Sequence, residues 1–349
     1  MPSGRRYLVL FATLGLFAAG VLAQPNPSSK SGGKIIIDTD VGDDVDDAFA
    51  IDLALASPEF EILGISTAWG DTALRAQMVD RMVCETGRKG IEVTAGLQTT
   101  VTSMFTQAEW ARAGISRRHR DAVAFLLYQI KAHPGEITLV ALGPLSNIGA
   151  AIDRDPATFR KLKRVVLMGG SIHRGYDRAG SAAPQPPEPE YNIDRDPQAA
   201  QKLMASGVPI FMLPLDSTQV KFVESKRAQL ATINTPMTNS LLELVKEWSH
   251  GTGKATETLF DAVAVAYALD DKTCPMTPVR IKVDDKGMTK PTSGPPNVQA
   301  CLVPHEEAFF NLLMPRLMQH GPHACLPEGS TPRVDRPGYC ARRCGPRVV

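Results

Sequence analysis

Residues 34–56 read KIIIDTDVGDDVDDAFAIDLALA, and the order of the parts indicates both a fold and a site. An apolar run, Ile35 to Ile37, leads into an acidic cluster, and a second apolar run, Ala48 to Ala56, follows it. The cluster holds six aspartates within ten residues: Asp38, Asp40, Asp43, Asp44, Asp46 and Asp47. Crowded carboxylates in a partly dry site repel one another and take up protons unless a cation balances them. The pattern therefore indicates a hard divalent ion, calcium or magnesium.

The whole chain has the composition of an ordinary globular protein. Its 349 residues are 43% hydrophobic and 21% charged, which is enough for a large α/β core. The 38 lysines and arginines nearly balance the 37 aspartates and glutamates. A formal charge of +1 gives no bulk field that would steer the protein to nucleic acid or to an anionic membrane. We therefore expect a small-molecule partner in a local pocket.

The two ends of the chain differ in composition from its centre. Arg5 and Arg6 precede the apolar run Tyr7 to Val21, and small residues favour cleavage after Ala23. This pattern predicts a secretory signal peptide and a secreted or periplasmic protein, with an uncleaved membrane anchor as the alternative. The predicted organisation is a signal peptide over 1–23, a Pro/Ser/Gly linker over 24–33, one domain over 34–320 and a Cys/Pro-rich tail over 321–349.

Six cysteines accompany this expected export. They are Cys84, Cys274, Cys301, Cys325, Cys340 and Cys344. Disulfides persist in oxidising compartments, but the sequence alone does not define the pairing. For Cys340 and Cys344 we favour a surface bridge, with Cys325 as a candidate partner, over a metal site.

Strand-like apolar segments alternate with helix-prone segments along the chain. This alternation predicts an α/β fold with a mostly parallel central sheet flanked by helices. Ligands of such sheets bind beyond the carboxyl ends of the strands, so residues that follow the strands should share one site. The predicted strands are Lys34–Asp38, Glu61–Thr67, Ile137–Leu142, Arg164–Met168 and Val208–Leu213. The predicted helices are Val45–Ala56, Thr72–Glu85, Arg120–Ala132, Pro197–Ala205 and, after short strands within 278–303, Glu306–Gln319.

The acidic stretch and four later segments together resemble the nucleoside hydrolase family, the inosine-uridine-preferring N-ribohydrolases. The later segments are ITLVALGPLSN at 137–147, VLMGG at 166–170, EYNID at 190–194 and FDAVAVA at 260–266. The resemblance covers residues 34–320. It implies a Rossmann-like nucleoside hydrolase fold and calcium-dependent hydrolysis of the N-glycosidic bond of ribonucleosides, which releases base and ribose in nucleoside catabolism.

The same resemblance implies a Ca²⁺ site at the bottom of the pocket. The implied ligands are Asp40, Asp47, the main-chain carbonyl of Leu142, and Asp261. Asp46 matches the general base of the family. The motif is two residues longer here than in the family, and counted without a gap it would make Asp44 the base and put Val45 at a ligand position. Because valine cannot coordinate calcium, the assignment is anchored on Asp46 and Asp47.

Five residues are predicted to contact the substrate: Asp44, Trp69, Asp71, Glu190 and Asn192. The last two match the sugar-binding pair of the family, and Asn192 is also expected to act catalytically by supporting positive charge on the sugar ring. Asp71 stands where many members carry asparagine. Phe260 stands where many carry a histidine that helps to protonate the departing base. Stacking on Trp69 is one replacement for that help, although Trp69 is equally compatible with a core position.

Two other functions compete with hydrolysis of nucleosides. A non-catalytic, calcium-dependent sugar- or nucleoside-binding protein would retain the pocket without the chemistry, and Phe260 and Asp71 give this alternative some weight. A phosphatase of the haloacid dehalogenase type would use Asp38 as nucleophile with Mg²⁺. It expects Thr or Val four residues later, where Gly42 stands. The sequence is also compatible with a homo-oligomer.

Overall fold

In the computed structural model, the acidic stretch links the first strand of the main sheet to the first helix. The structure describes residue 1 and residues 33–100, 104–178, 181 and 183–319. The predicted signal peptide, linker and tail lie outside the described residues, apart from Met1 and Gly33. Within those ranges, no helix has both the length and the apolar character needed to cross a bilayer.

Nine strands of the described chain form one sheet, and a further two form a separate antiparallel pair. The strands in chain order are β1 Lys34–Thr39, β2 Glu61–Thr67, β3 Glu92–Ala95, β4 Arg120–Asp121, β5 Thr138–Ala141, β6 Arg164–Met168, β7 Ile210–Leu213, β8 Met276–Val279, β9 Ile281–Val283, β10 Thr289–Pro291 and β11 Val298–Cys301. The sheet order is β4-β3-β2-β1-β5-β6-β7-β11-β8. Every pairing is parallel except that of β8 with β11, so the predicted mostly parallel sheet is confirmed.

Helices connect the strands and cover the sheet. In chain order they are α1 Asp46–Leu55, α2 Thr72–Thr86, α3 Ala108–Arg112, α4 Ala122–Ala132, α5 Ser146–Arg154, α6 Pro156–Phe159, α7 Tyr191–Asp194, α8 Pro197–Ala205, α9 Leu215–Thr218, α10 Glu224–Leu230, α11 Pro236–Thr252, α12 Phe260–Leu269 and α13 Glu306–Gln319. A short 3₁₀ turn spans Asp271–Thr273. All the predicted strands and helices are present, within two residues at each end.

Strand β1 runs through the middle of the sheet, and its side chains alternate between two cores. Ile35 and Ile37 belong to one buried cluster, and Ile36 belongs to the cluster on the opposite face. A strand buried on both sides has an uninterrupted apolar run, as this one does. Helices α1 and α12 pack against each other within the first of these clusters. Their contact brings the amino ends of the two helices, and therefore their first-turn aspartates, to the same place.

A disulfide joins the two carboxy-terminal strands of the main sheet. Cys274 precedes β8, Cys301 ends β11, and their Cα atoms lie 5.9 Å apart. Both cysteines are buried. The bridge therefore fixes the antiparallel edge strand β8 to the rest of the sheet. The bridge favoured for Cys340 and Cys344 lies outside the described residues.

Candidate active site

A cavity of about 570 Å³ opens at the carboxyl ends of the central strands. Asp40 follows β1, Leu142 follows β5 and Met168 ends β6, and all three line the cavity. The amino ends of α1, α7 and α12 contribute further lining residues. This is the edge of the sheet at which the sequence predicted a site.

Three buried aspartates converge in this cavity. One carboxylate oxygen from each of Asp46, Asp47 and Asp261 lies within 4.8 Å of the others. The main-chain N–H of Asp261 donates to Asp46 Oδ2 at 3.1 Å, and the hydroxyl of Thr39 donates to Asp47 Oδ1. Asp261 Oδ1 is buried and has no hydrogen-bond partner. Clustered carboxylate oxygens with free lone pairs are the donor set that a hard cation prefers, so these residues can hold a metal ion.

Burial is the main influence on the charge of these groups. It raises the pKa of Asp46, Asp47 and Asp261 well above the usual range, and repulsion from neighbouring carboxylates raises each pKa further. Burial also raises the pKa of Asp40 to about 7, against the opposing attraction of Arg75. A desolvated group of like charges favours protonation, and a bound cation reverses that preference. The electrostatics therefore fit the cation site indicated by the sequence.

The predicted ligand Asp40 lies in the same cavity but outside the group of three. Its carboxylate is close to the chain that follows β5, where a Cβ on Gly143 would lie 2.8 Å from Asp40 Oδ1. Only a glycine permits this approach, which explains the glycine in the segment 137–147. The group of three instead contains Asp46, the residue predicted to act as general base.

Asn192 and Glu190 are both buried beside this cluster. The Asn192 amide nitrogen donates to the carbonyl of Leu142 at 2.7 Å and to that of Met168 at 3.2 Å. A carbonyl oxygen has two lone pairs, so the Leu142 oxygen retains one for another partner. Glu190 lines the cavity, yet its two oxygens accept main-chain N–H groups from Gly170 at 2.8 Å and Asn192 at 3.0 Å. Glu190 thus holds the loop that presents Asn192, and burial raises its pKa to about 7.

Two predicted substrate contacts, Asp71 and Trp69, are not among the residues that line the cavity. Asp71 is exposed and caps α2, where its carboxylate accepts the Leu74 N–H at 3.0 Å. Trp69 has a positive φ of 62° and is 7% exposed, and it is buried without lining the cavity. Both residues do follow β2, but β2 is one strand away from the centre of the site. The sequence rule located the correct edge of the sheet without giving the distance along it.

Asp38 and Asp44 differ in their relation to the cavity. Asp44 lines it, as predicted for a substrate-binding residue, and accepts the Val45 N–H at 2.8 Å. Asp38 does not line it, and the Asn147 amide donates to Asp38 Oδ1 at 2.8 Å. An aspartyl nucleophile must face its substrate, so the placement of Asp38 contradicts the phosphatase alternative.

The mouth of the cavity contains residues that sequence reasoning missed. Thr106 comes from the loop before α3 and Lys254 follows α11. Tyr191 is the first residue of α7, and Arg195 directly follows that helix. Tyr191 lies within the segment EYNID, so its neighbours in the motif could have indicated it. Thr106 and Lys254 belong to connecting segments with no motif, and only the folded chain brings them to the site.

Comparison with known proteins supports the fold and identifies the family. Residues 35–311 match the family described as inosine-uridine preferring nucleoside hydrolase. An uncharacterized protein of Schizosaccharomyces pombe is 35% identical over 209 residues, which cover 56% of this chain and 64% of that protein. The pyrimidine-specific ribonucleoside hydrolase RihB of Escherichia coli is 33% identical over 198 residues, which cover 53% of this chain and 60% of that protein. The chain therefore spans less than two thirds of the length of either relative.

Solved structures show the same architecture over most of the chain. A purine-preferring ribonucleoside hydrolase from Gardnerella vaginalis superposes with a TM-score of 0.68 at 26% identity and covers 82% of this chain and 98% of that one. A plant nucleoside hydrolase gives a TM-score of 0.71 at 24% identity, with 82% and 99% covered. The fold is thus that of the nucleoside hydrolases. The chain belongs to the inosine-uridine preferring nucleoside hydrolase family.

Proposed function

We propose that this protein hydrolyses the N-glycosidic bond of ribonucleosides with the help of a bound calcium ion. The observation that carries this proposal is the convergence of Asp46, Asp47 and Asp261 in a buried cavity that also presents Asn192. Family membership and the names of the similar proteins support the same reaction class.

The residues present fit a calcium ion. Asp47, Asp261 and Asp40 would supply carboxylate oxygens, and Leu142 would supply its carbonyl oxygen. Calcium accepts a mixed set of carboxylate and carbonyl oxygens, and the unpartnered Asp261 Oδ1 is one such atom already in position. When bound, the ion would supply Lewis-acid charge that lowers the pKa of a water and orients a vicinal diol.

The side chains of the cavity would carry the remaining steps. Asp46 would accept a proton from the attacking water, and the Asp261 N–H at 3.1 Å holds its carboxylate in place. The water oxygen bonds to the anomeric carbon while the carbon–nitrogen bond breaks, and the base departs with the bonding electrons and takes up a proton. Asn192 would face the sugar as positive charge develops on its ring. Burial raises the pKa of Asp46, which makes its carboxylate a stronger base for this proton than an exposed aspartate.

The sugar orientation follows from the position of the carboxylates. They are buried, whereas Lys254 and Met104 at the mouth are exposed. A ribose held by its diol at the buried end would point the base towards the mouth. There Trp248 and the ring of Phe260, which meets the ring of Tyr176 edge-on at 6.1 Å, offer apolar surface to it. This orientation favours ribosides over 2′-deoxyribosides.

We also propose that the protein is exported to the periplasm or beyond the cell. The sequence pattern of residues 1–23 supports export, and so does the Cys274–Cys301 bridge, because disulfides persist mainly in oxidising compartments. Fractionation of expressing cells, followed by amino-terminal sequencing, tests this proposal. We expect a mature chain that begins at Gln24 in the exported fraction, and a full-length chain in the cytoplasm would contradict it.

The test of the proposed reaction is a substrate panel with and without a calcium chelator. Purified protein is incubated with purine, pyrimidine and nicotinamide ribosides and with matched 2′-deoxyribosides, and released reducing sugar is measured. We expect sugar release from at least one riboside, much less from its deoxy counterpart, and loss of activity on chelation that added calcium restores. If calcium-replete protein binds ribosides but releases no sugar, the non-catalytic binding alternative replaces hydrolysis.

A further inference from the structure

The side chain of Arg75 ties together the ends of two central strands. It lies on α2 and is only 1% exposed. Its Nε donates to the carbonyl of Trp69 at 2.8 Å, just beyond β2. Its Nη1 donates to the carbonyl of Val41 at 2.9 Å and to that of Asp40, just beyond β1. One guanidinium group therefore fixes the main chain that carries a predicted calcium ligand.

Arg75 also pairs with Asp43, one of the six aspartates of the acidic cluster. Its Nη2 lies 3.0 Å from Asp43 Oδ1, and the Asp43 side chain is 17% exposed. Asp43 also lines the cavity, so this ion pair lies beside the three clustered aspartates. The Asp43 carboxylate therefore has the Arg75 guanidinium as a partner of opposite charge within the protein.

A second segment holds the same loop from the other side. Thr106 Oγ1 donates to the carbonyl of Asp43, and Gln107 Nε2 donates to that of Asp44, both at 2.8 Å. In the preceding residue, Phe105, the ring lies 5.0 Å from the Arg75 guanidinium. The carbonyl groups of residues 40–44 are therefore held by side chains from two separate elements. A loop held in this way keeps its shape before any ligand arrives.

We propose that Arg75, together with Asp43, is a positioning element that presets the acidic loop for binding of the cation. Arg75 does not line the cavity, so it touches neither substrate nor ion and acts through the main chain of residues 40–43. The inference rests on the proposed function, because it takes the calcium ion of that site as the ligand. Residues that orient metal ligands without touching the metal typically change its affinity by about 10–100-fold.

Electrostatics alone predicts the opposite result, which makes the inference testable. Removing the positive charge of Arg75 close to the site should, by charge alone, strengthen binding of a cation. Loss of the loop shape that Arg75 maintains should instead weaken binding of the cation. Lysine retains the charge of Arg75 but not the planar set of donors that reaches several carbonyls at once. Arg75→Lys and Arg75→Met therefore separate the two effects.

The experiment is calorimetric titration of Ca²⁺ into the purified, metal-stripped full chain, with thermal unfolding recorded in parallel. We expect both Arg75 variants to bind calcium about 10–100-fold more weakly than the wild type. Asp43→Asn leaves the carbonyl contacts of Arg75 in place, so it should weaken binding less than the Arg75 variants do. Because it also removes a negative charge that lines the cavity, weaker binding in this variant alone does not support the inference. Unchanged calcium affinity in folded Asp43→Asn would overturn the inference, even if an Arg75 variant does not fold.

Arg88 provides a matched control elsewhere in the chain. It also donates to main-chain carbonyls, those of Ala54 at 3.2 Å and Phe60 at 2.8 Å, but does not line the cavity. Arg88→Met should lower the unfolding temperature without changing calcium affinity. Tighter binding by Arg75→Met with no change in Arg75→Lys would overturn the inference, as would lower melting temperatures with unchanged affinity. A folded wild type that binds no calcium would overturn the proposed function as well.

Discussion

Asp46 and Asp261 show how single residues define this site. Both are buried, they repel each other, and the main-chain N–H of Asp261 stabilises the carboxylate of Asp46 at 3.1 Å. The resemblance to the family predicted that both would belong to one site, and the structure brings them together. The sequence did not predict Arg75, because a lone arginine in an amphipathic helix looks like a solvent-facing residue. Trp69 and Asp71, which were also predicted to contact the substrate, do not line the cavity: Trp69 is buried elsewhere and Asp71 caps α2.

Replacement of Asp46 by asparagine separates a base from a metal ligand. The amide of Asp46→Asn cannot accept the proton of water, so we expect kcat for the best riboside to fall by about 10²–10⁴-fold. Calcium affinity, measured by titration calorimetry, should change little if Asp46 is mainly the base. Asp121→Asn, which alters an exposed cap of α4, should retain full activity. Equal turnover in the Asp46 variant and the wild type would contradict the assignment.

Asp52 gives a pH-dependent prediction away from the cavity. It is buried in α1, and burial first, with repulsion from Glu85 second, raises its pKa well above the usual range. The folded state therefore binds this proton more tightly than the unfolded state, so the stability from Asp52 is present at low pH and is lost as pH rises through the folded pKa. The side chain of Asp52→Asn cannot ionise, so the variant does not lose this stability as pH rises. The melting temperature of the variant minus that of the wild type should therefore increase between about pH 5 and about pH 8. A difference that stays constant with pH would contradict this account.

At the scale of elements, the short connection between β1 and α1 carries the most information. The apolar strand, the acidic turn and the helix were all predicted, because each has its own sequence pattern. Of the parts that hold this turn, α2 was predicted as a helix, but the contacts of its Arg75 were not. The segment Phe105–Gln107 comes from a part of the chain with no recognisable motif, and its contacts with the turn depend on long-range packing.

Gly42 tests how tightly this turn is packed. Its φ is 123°, and a Cβ there would overlap the ring of Phe105. Gly90 also has a positive φ, 80°, but a Cβ there would meet nothing within 4 Å. Gly90→Ala should therefore lower the free energy of unfolding only through backbone strain, by about 1–2 kcal/mol. Gly42→Ala should lower it by about 2–5 kcal/mol, because the ring of Phe105 must also move. Denaturant unfolding measures both, and equal losses would show that the contact with Phe105 adds nothing.

At the scale of the whole molecule, the sheet was predicted more completely than the site. Strand-like and helix-prone segments alternate many times along the chain. An error in the prediction of one strand or helix therefore does not change the predicted fold class. The short strand β3 and the long helix α11 were missed, because four residues give little periodicity and α11 begins with polar residues. The pairing of Cys274 with Cys301 could not be predicted either, since it depends on β8 and β11 being neighbours.

The Cys274–Cys301 bridge should contribute to global stability. The two residues are 27 positions apart, so the bridge closes a loop of moderate length in the unfolded chain. Replacing both cysteines by alanine should lower the free energy of unfolding by about 2–4 kcal/mol, as measured in guanidinium chloride. Activity should remain at temperatures where the variant is folded, because neither cysteine lines the cavity. Unfolding midpoints that match the wild type would contradict a stabilising role.

The measurement closest to the central claim is the calcium content of the folded protein. The purified chain is stripped with a chelator, desalted, dialysed against calcium, and analysed for bound metal beside an Asp261→Asn variant. Because buried carboxylates of like charge need a balancing cation, we expect one tightly bound calcium ion per wild-type chain and markedly weaker binding in the variant. Folded wild-type protein that takes up no calcium would contradict the account.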